Sequence, residues 1–112
     1  MKLLIAYVKP FKVAEVTAAL EEIGIRRLSV TEAKGYGRQR GHSEFYKGAE
    51  YQVDFVPKSR LEIALDADDV EPAVQAILKA AQTGTMGDGK IFVVNLDEAV
   101  RIRTGDRGPD AL

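Results

Sequence analysis

The apolar pattern of this 112-residue chain predicts two strand–helix–strand units separated by one long polar insertion. Two such units indicate the α+β class, with a ferredoxin-like βαβ-βαβ arrangement: a four-stranded antiparallel sheet carrying both helices on one face. A small doubly wound parallel sheet is the alternative, but it needs helices on both faces and two helices are too few. The predicted elements are a strand over 3–8, a helix over 13–23, strands over 28–32 and 61–65, a helix over 66–81 and a strand over 91–94.

Residues at the ends of both helices support these assignments. Gly24 follows the first helix, where glycine commonly caps a helix C-terminus. Asp68 and Glu71 have the spacing of a capping box at the start of the second helix, and Pro72 must lie in its first turn. One face of the first helix carries Val13, Val16, Leu20 and Ile23 at intervals of three and four.

The segments outside the two units are less regular. A weakly alternating stretch over 51–56 predicts a frayed strand, which Pro57 interrupts. After the last strand, we expect a short helical turn over 96–100 and an extended segment over 101–103. A tail rich in glycine, proline and aspartate follows from Thr104.

The first and last strands are apolar on both faces. In the first strand Leu4, Ala6 and Val8 alternate with a second apolar set, Leu3, Ile5 and Tyr7. Two helices cover only one face of a sheet, and a large uncovered apolar face usually marks an interface. We therefore expect a homo-oligomer; the alternative is that the insertion folds back over this face as a lid.

Composition excludes several classes of protein. Sixteen basic and seventeen acidic residues give a net charge of -1, which argues against a nucleic-acid binder that depends on overall positive charge. The absence of cysteine excludes disulfides, zinc–thiolate sites and a cysteine nucleophile. The apolar start ends at Lys9-Pro10, too soon for a signal peptide or a membrane span, so the sequence predicts a single cytoplasmic domain over 1–112.

The loop before the last strand, Gly84-Thr85-Met86-Gly87-Asp88-Gly89-Lys90, fits the first seven positions of a P-loop. Ile91 stands where the magnesium-binding Ser or Thr would be, and the loop leads from a helix into a strand, so it is not a Walker motif. Its glycines and Lys90 still favour binding of an oxyanion by backbone N–H groups. The alternative is a tight turn that uses glycine only for positive φ.

Six cations at loops and strand ends predict a polyanion site such as a nucleoside triphosphate, unless they are dispersed solubility charges. The glycines at 35, 37 and 41 do not have dinucleotide-fingerprint spacing, so a Rossmann site is rejected. The six cations are Arg38, Arg40, Lys58, Lys90, Arg101 and Arg103.

Catalytic residues are not apparent in the sequence. His42 is the sole histidine, no Ser/His/Asp set is visible, and no acidic or histidine cluster has metal-ligand spacing. We therefore expect a protein that is not an enzyme. Two alternatives remain: a small phosphotransferase with His42 as phosphoacceptor, and a ferredoxin-like trimer that binds a metal or a partner without nucleotide.

The motifs at 9–12, 35–39, 46–51, 83–93 and 101–105 resemble those of the PII nitrogen-regulatory signal-transduction proteins, over essentially the whole chain. This resemblance implies a ferredoxin-like homotrimer that transduces nitrogen, carbon and energy status. It implies a long mobile T-loop over 37–55, a phosphate-binding B-loop over 82–90 and a C-terminal loop over 101–112.

By resemblance, ATP and ADP compete for the clefts between subunits. Gly87 to Lys90 would receive the phosphates, Arg101 and Arg103 would come from the neighbouring subunit, and Ser29 and Glu62 would meet the adenine. The implied nucleotide-binding residues are Ser29, Gly35, Gly37, Arg38, Glu62, Ala64, Gly87, Asp88, Gly89, Lys90, Arg101 and Arg103. The chain departs from the commonest family pattern at Tyr7, Tyr36, Arg40 and Ala64.

The resemblance also implies binding of 2-oxoglutarate beside Mg-ATP. Gln39 matches the residue that ligates magnesium, and Lys58 matches the one that pairs with a ligand carboxylate. Groups near Arg40, Gly41 and Gly87 would complete this site. A dianionic keto acid chelates a hard cation through oxygens, which suits this donor set.

The resemblance implies that the T-loop binds an ammonium channel, a nitrogen sensor kinase or the adenylyltransferase of glutamine synthetase. Contact with a membrane would occur only through the channel. Tyr51 matches the tyrosine that a uridylyltransferase modifies in many members. Hydrolysis of bound ATP would be slow and incidental.

Overall fold

The structure, a computed structural model, describes residues 1–37 and 55–112. Short 3-10 turns at Pro10–Lys12 and Ala67–Asp69 lead into the two helices, and another at Gly108–Ala111 lies near the C-terminus. The strands are β1 (Lys2–Val8), β2 (Ser29–Gly35), β3 (Val56–Leu65) and β4 (Gly89–Asn95), and the helices are α1 (Val13–Glu22) and α2 (Val70–Ala81).

The four strands form one sheet in the order β2-β3-β1-β4, and each neighbouring pair is antiparallel. The central strand β1 therefore pairs on both sides: Leu4 lies opposite Ile63 of β3 and opposite Val93 of β4. This topology confirms the predicted ferredoxin-like arrangement.

Both helices cover the same face of this sheet, as predicted. The register places Leu4 and Ala6 of β1 on one face with Ile63 and Leu61 of β3, and all four are buried. Helix periodicity brings apolar side chains to that face at intervals of three and four residues. Helix α1 contributes Val16 and Leu20 to the core, and α2 contributes Ala73, Ile77 and Ala81.

Strands β2 and β3 are longer than the sequence indicated, and the predicted interruption at Pro57 is wrong. Pro57 lies inside β3, opposite Lys34 of β2. The pairing of β3 with β1 ends at Ser59, so β3 has a neighbour on only one side at Pro57. A proline is tolerated there because no ladder hydrogen bond is required on the open side.

The predicted capping box at Asp68 and Glu71 is also wrong. Helix α2 begins at Val70, and its N-cap, Asp69, makes no side-chain capping bond. The 3-10 turn leads directly into the helix with Asp69 in the αR region, and Asp69 N donates to Asp66 O at 3.0 Å. Two other predictions are confirmed. Pro72 lies in the first turn of α2, and Gly24 lies just after α1 with a φ of +90°.

The segment after β4 differs from both sequence expectations, since 96–100 forms no helical turn and 101–103 is not extended. Val100 pairs instead with Arg107 in an isolated antiparallel bridge. Within it, Arg101 N donates to Asp106 O at 2.9 Å and Gly105 N donates to Arg101 O at 2.7 Å. Positive φ at Gly105 permits this tight turn, which local apolar spacing does not encode.

The topology separates the connecting segments between two ends of the sheet. Val8, Gly35, Val56 and Gly89 lie at one end, so the segments 9–12 and 82–88 meet there, together with Tyr36 and Gly37 after β2 and Phe55 before β3. We call this the loop end. The segment after β4 leaves from the opposite end, the tail end, where Leu96 N donates to Met1 O at 3.1 Å.

The face of the sheet away from the helices, which we call the open face, carries a row of apolar side chains. On β4, Phe92 and Val94 are 47% and 45% exposed, and they lie opposite Ile5 and Leu3 of β1. Apolar residues on both faces of the first and last strands are therefore confirmed, whereas the homo-oligomer remains a prediction. The insertion, the alternative cover for this face, falls largely outside the described residues. No helix in the described ranges is long and apolar enough to cross a membrane.

Candidate functional site

Asp88 closes the loop that precedes β4. Its carboxylate accepts hydrogen bonds from Thr83 N at 2.8 Å and Gly84 N at 2.9 Å, and from the Thr83 hydroxyl. The hydrogen bonds from Thr83, first its hydroxyl and then its N–H, hold the pKa of Asp88 well below its usual range. Asp88 therefore stabilises the conformation of the loop, because its carboxylate oxygens accept hydrogen bonds from Thr83 and Gly84 of the same loop.

Lys9, directly after β1, ties this loop to the central strand. Its Nζ donates to Thr85 Oγ1 at 2.7 Å and to Thr83 Oγ1 at 3.2 Å, and lies 3.3 Å from Asp88 Oδ1. The sequence analysis did not assign a role to Lys9. Its position directly after the first predicted strand was the available signal.

Lys58 and Gly87 meet at the centre of the loop end. Lys58 Nζ donates to the Gly87 carbonyl, and a Cβ placed on Gly87 would lie 3.4 Å from that nitrogen. Burial lowers the pKa of Lys58, as does the positive charge of Lys9, while Asp88 opposes them. Burial and the charge of Lys9 both disfavour the protonated form of Lys58, so binding of an anion beside its ammonium group would be favourable.

Gly89, where β4 begins, approaches β1 too closely for any side chain. A Cβ at Gly89 would lie 1.7 Å from the Tyr7 carbonyl oxygen, and its φ is +115°. The next residue, Lys90, pairs with Tyr7 across the strands and points to the same face. Glycine at this position therefore fixes where the loop ends and where β4, with Lys90 as its second residue, begins.

A cavity of about 420 Å³ opens beside this loop at the loop end of the open face. Lys34, Lys58 and Lys90 are among its lining residues, and Tyr7 and Phe92 supply an aromatic wall. The register places Lys58 and Lys90 on the open face. These cations beside glycine backbone and aromatic rings suit a ligand with both an anionic and a flat apolar part. The remaining lining residues are Gly35, Tyr36, Gly37, Met86, Gly87 and Gly89.

Arg101 and Arg103 lie at the other end of the molecule. Lys90 is near the start of β4 and Asn95 is at its end, so the strand alone separates the loop end from the tail end by about 17 Å. Arg101 Nη2 donates to Leu112 O at 2.9 Å within the folded tail. One chain therefore does not bring these arginines to the loop end, where Lys90 lies.

Ser29, Glu62 and Ala64, the residues expected near a base, share the open face. Ser29 lies opposite Glu62 in the pairing of β2 with β3, and Ala64 lies opposite Leu3 of β1. Arg60 Nη2 forms an ion pair with Glu62 Oε2 at 2.7 Å. The sequence analysis did not identify Arg60, which alternates with Glu62 along the same strand.

Several predicted site residues cannot be placed. Gly35 ends β2 and lines the cavity with Gly37, but the remaining members of the set lie outside the described residues. Among the residues that the structure describes, no group of three or more His, Cys, Asp and Glu side chains is arranged to hold a metal. The residues outside the described ranges are Arg38, Gln39, Arg40, Gly41, His42 and Tyr51.

The fold and the site together define a ferredoxin-like protein with a glycine-rich loop flanked by lysines at one end of its sheet. Residues 1–106 match the sequence model of the family described as Nitrogen regulatory protein P-II. The chain is also similar, over its full length and theirs, to proteins of that name from Mesorhizobium japonicum (60% identical), Bradyrhizobium diazoefficiens (59%) and Rhodospirillum rubrum (58%). The chain belongs to the P-II family of nitrogen regulatory proteins.

Substituting Gly89→Ala tests the close approach of β4 to β1. We expect it to lower the free energy of unfolding by more than the roughly 1–2 kcal/mol that positive φ alone costs a side chain, because the new methyl group meets the Tyr7 carbonyl. The matched control is Gly84→Ala, which also has positive φ but no atom within 4 Å of the added Cβ. Equal losses for the two variants in urea titrations would contradict the predicted clash.

The pKa of Asp88 predicts an acid-dependent contribution to stability. A carboxyl whose pKa is lowered by folding stabilises the protein above its unfolded pKa of about 4, and loses that contribution as the pH falls below it. We therefore expect Asp88→Asn to lower the melting temperature at pH 7, and the difference from the unaltered protein to shrink by pH 3. A difference that stays constant over this range would contradict the role of the ionised carboxylate.

Proposed function

We propose that this protein is a homotrimeric sensor that binds ATP or ADP between subunits and 2-oxoglutarate together with Mg-ATP. The separation of the cations in a single chain carries the proposal. Lys90 and Lys58 lie at the loop end, whereas Arg101 lies at the tail end, beyond the length of β4. A second copy that supplied its tail end to the loop end of the first would unite the two sets.

The cavity has the chemistry that a nucleotide requires. Backbone N–H groups of Gly87 to Lys90, with the Lys90 side chain, would bind the phosphate oxygens. The Asp88 carboxylate would repel these oxygens less because it accepts hydrogen bonds from Thr83 and Gly84 of the same loop. The apolar open face, with exposed Phe92 and Val94, would both pack against the other copies and border the base. Arg38 and Arg103 complete the proposed phosphate contacts.

Lys58 is the described residue best suited to the 2-oxoglutarate carboxylate. Its ammonium group is partly buried beside Gly87, whose carbonyl oxygen accepts a hydrogen bond from it. Gln39 would hold the magnesium together with oxygens of ATP and the keto acid, and groups near Arg40 and Gly41 would bind the same ligand. Magnesium would supply charge neutralisation between the two anions.

Effector binding would act through the segment 37–55, the T-loop of the family. Ligands at Gly37 and Gln39 bind where this segment leaves the sheet, so they would bias which conformation it presents to a partner. The proposed partners are an ammonium channel, a nitrogen sensor kinase and the adenylyltransferase of glutamine synthetase. Uridylylation at Tyr51 would modify this contact, in the cytoplasm, and slow ATP hydrolysis would be incidental.

Mixed trimers test the intersubunit site. We expect Lys90→Met and Arg101→Met each to weaken ADP binding tenfold or more, roughly the loss for a contact with a charged group. Co-assembly of the two variants should then restore one intact site in each mixed trimer, because one interface combines the unaltered Lys90 with the unaltered Arg101. Calorimetry should report about a third of the full number of sites.

A matched exposed cation provides the control for the mixed trimers. Lys79→Met on α2, on the opposite side of the sheet from the open face, should leave ADP binding unchanged. Purified mixed trimers that recover no binding would contradict a site shared between subunits. A protein that binds neither ATP nor ADP would contradict the nucleotide proposal itself.

Substitution of Lys58 separates the two effector sites. Lys58→Met should weaken 2-oxoglutarate binding by tenfold or more in calorimetry with Mg-ATP present, because it removes the charge that pairs with the ligand carboxylate. ADP binding should be largely preserved, and Lys58→Arg should retain part of the 2-oxoglutarate affinity. Unchanged 2-oxoglutarate binding in the methionine variant would exclude Lys58 from that site.

A further inference from the structure

A row of interacting side chains crosses the open face beside the cavity. Phe92 meets the Tyr7 ring edge-on, with centroids 6.4 Å apart and planes at 82°. The guanidinium carbon of Arg60 lies 5.9 Å from the centroid of the same Tyr7 ring, and Arg60 Nη2 reaches Glu62 Oε2 at 2.7 Å. The contacts therefore run from β4 through β1 to β3 without interruption.

The register of the sheet explains this row and its distance from the loop. Tyr7 lies opposite Lys90 on one side and opposite Arg60 on the other. Glu62 follows two residues after Arg60 on the same face, where it lies opposite Ser29. Because Tyr7 and Lys90 line the cavity, the Arg60–Glu62 ion pair lies one step along the face from a candidate phosphate site.

Arginine suits this position because its planar guanidinium can engage an aromatic ring and a carboxylate at once. Arg60 Nε is buried and has no acceptor within reach among the described residues, so packing against its neighbours also holds the group in place. With Oε2 of Glu62 bound to Arg60, Oε1 is left to accept a hydrogen bond from another donor. A carboxylate held in this way keeps one orientation.

We propose that Arg60 is a positioning residue that makes Glu62 selective for the 6-amino group of a purine. The proposal rests on the nucleotide binding proposed above and names the part of that site that reads the base. An ionised carboxylate accepts hydrogen bonds and donates none, so it favours the amino group of adenine and disfavours the carbonyl oxygen at the same position of guanine. Tyr7, one of the departures from the family pattern, contributes by holding the guanidinium from the other side.

A purely structural role makes a different prediction. If the ion pair only helps the open face pack against another copy, removing Arg60 should weaken binding of every nucleotide by a similar factor. The ratio of two affinities, measured for nucleotides that differ only in the amino group, therefore separates the two roles.

Calorimetry with ATP and with purine riboside triphosphate, which lacks the 6-amino group, provides this ratio. We expect the unaltered protein to bind ATP roughly ten- to a hundredfold more tightly, the usual range for a hydrogen bond to a charged group. Arg60→Met should reduce this preference to within about threefold, mainly through weaker ATP binding, since the carboxylate loses its partner. Arg60→Lys, which keeps the charge, should recover part of the preference.

Glu62→Gln provides a second measurement that does not depend on removing the arginine. Its amide oxygen would turn toward Arg60 and its NH2 group toward the base, so the preference for the amino group should be lost. Lys79→Met, at an exposed position on α2 on the opposite side of the sheet from the open face, should leave the preference unchanged and controls for the loss of one positive charge.

Three results would overturn the proposal. They are a parallel loss of affinity for both triphosphates in Arg60→Met, an undiminished preference in Glu62→Gln, and the absence of any preference in the unaltered protein. A protein that binds neither triphosphate would instead remove the nucleotide proposal on which this one rests. Circular dichroism and the sedimentation of each variant establish that it remains folded and assembled as the unaltered protein does.

Discussion

The close contact between Gly89 and the Tyr7 carbonyl is the constraint on which the loop end of this protein depends. It fixes β4 against the central strand β1 and begins the strand directly after the glycine-rich loop. From that point the antiparallel register sets every position on the open face: Lys90 and Arg60 both lie opposite Tyr7, and Glu62 lies one step further. A residue with a side chain at this position would displace the strand and, with it, the geometry of the loop.

Electrostatics at the loop end is arranged by hydrogen bonds rather than by net charge. The nearly neutral chain directs its one carboxylate in the loop, Asp88, toward Thr83 and Gly84, and ties it to Lys9. Lys58 remains partly buried against the Gly87 carbonyl. The result is a local excess of positive charge beside backbone donors, which is the condition for binding a polyanion.

Periodicity predicted the elements of the fold well because the helices and the central strands carry regular apolar patterns. It failed where structure depends on partners distant in sequence. Pro57 predicts an interruption, yet β3 continues through it because the pairing of β3 with β1 ends at Ser59. The fold of the tail was also missed, since the pairing of Val100 with Arg107 and the turn at Gly105 leave no repeating pattern.

The sequence by itself determined the fold class, the glycine-rich loop and the family, because spacing and residue type are local properties that can be read along the chain. Only the tertiary structure decided which of these residues are neighbours. It brought Lys9, Lys58 and Gly87 together at one end of the sheet, and it placed Arg101 at the other. It also joined Tyr7 to Arg60, since contact across a sheet is set by strand order and register, which no single segment contains.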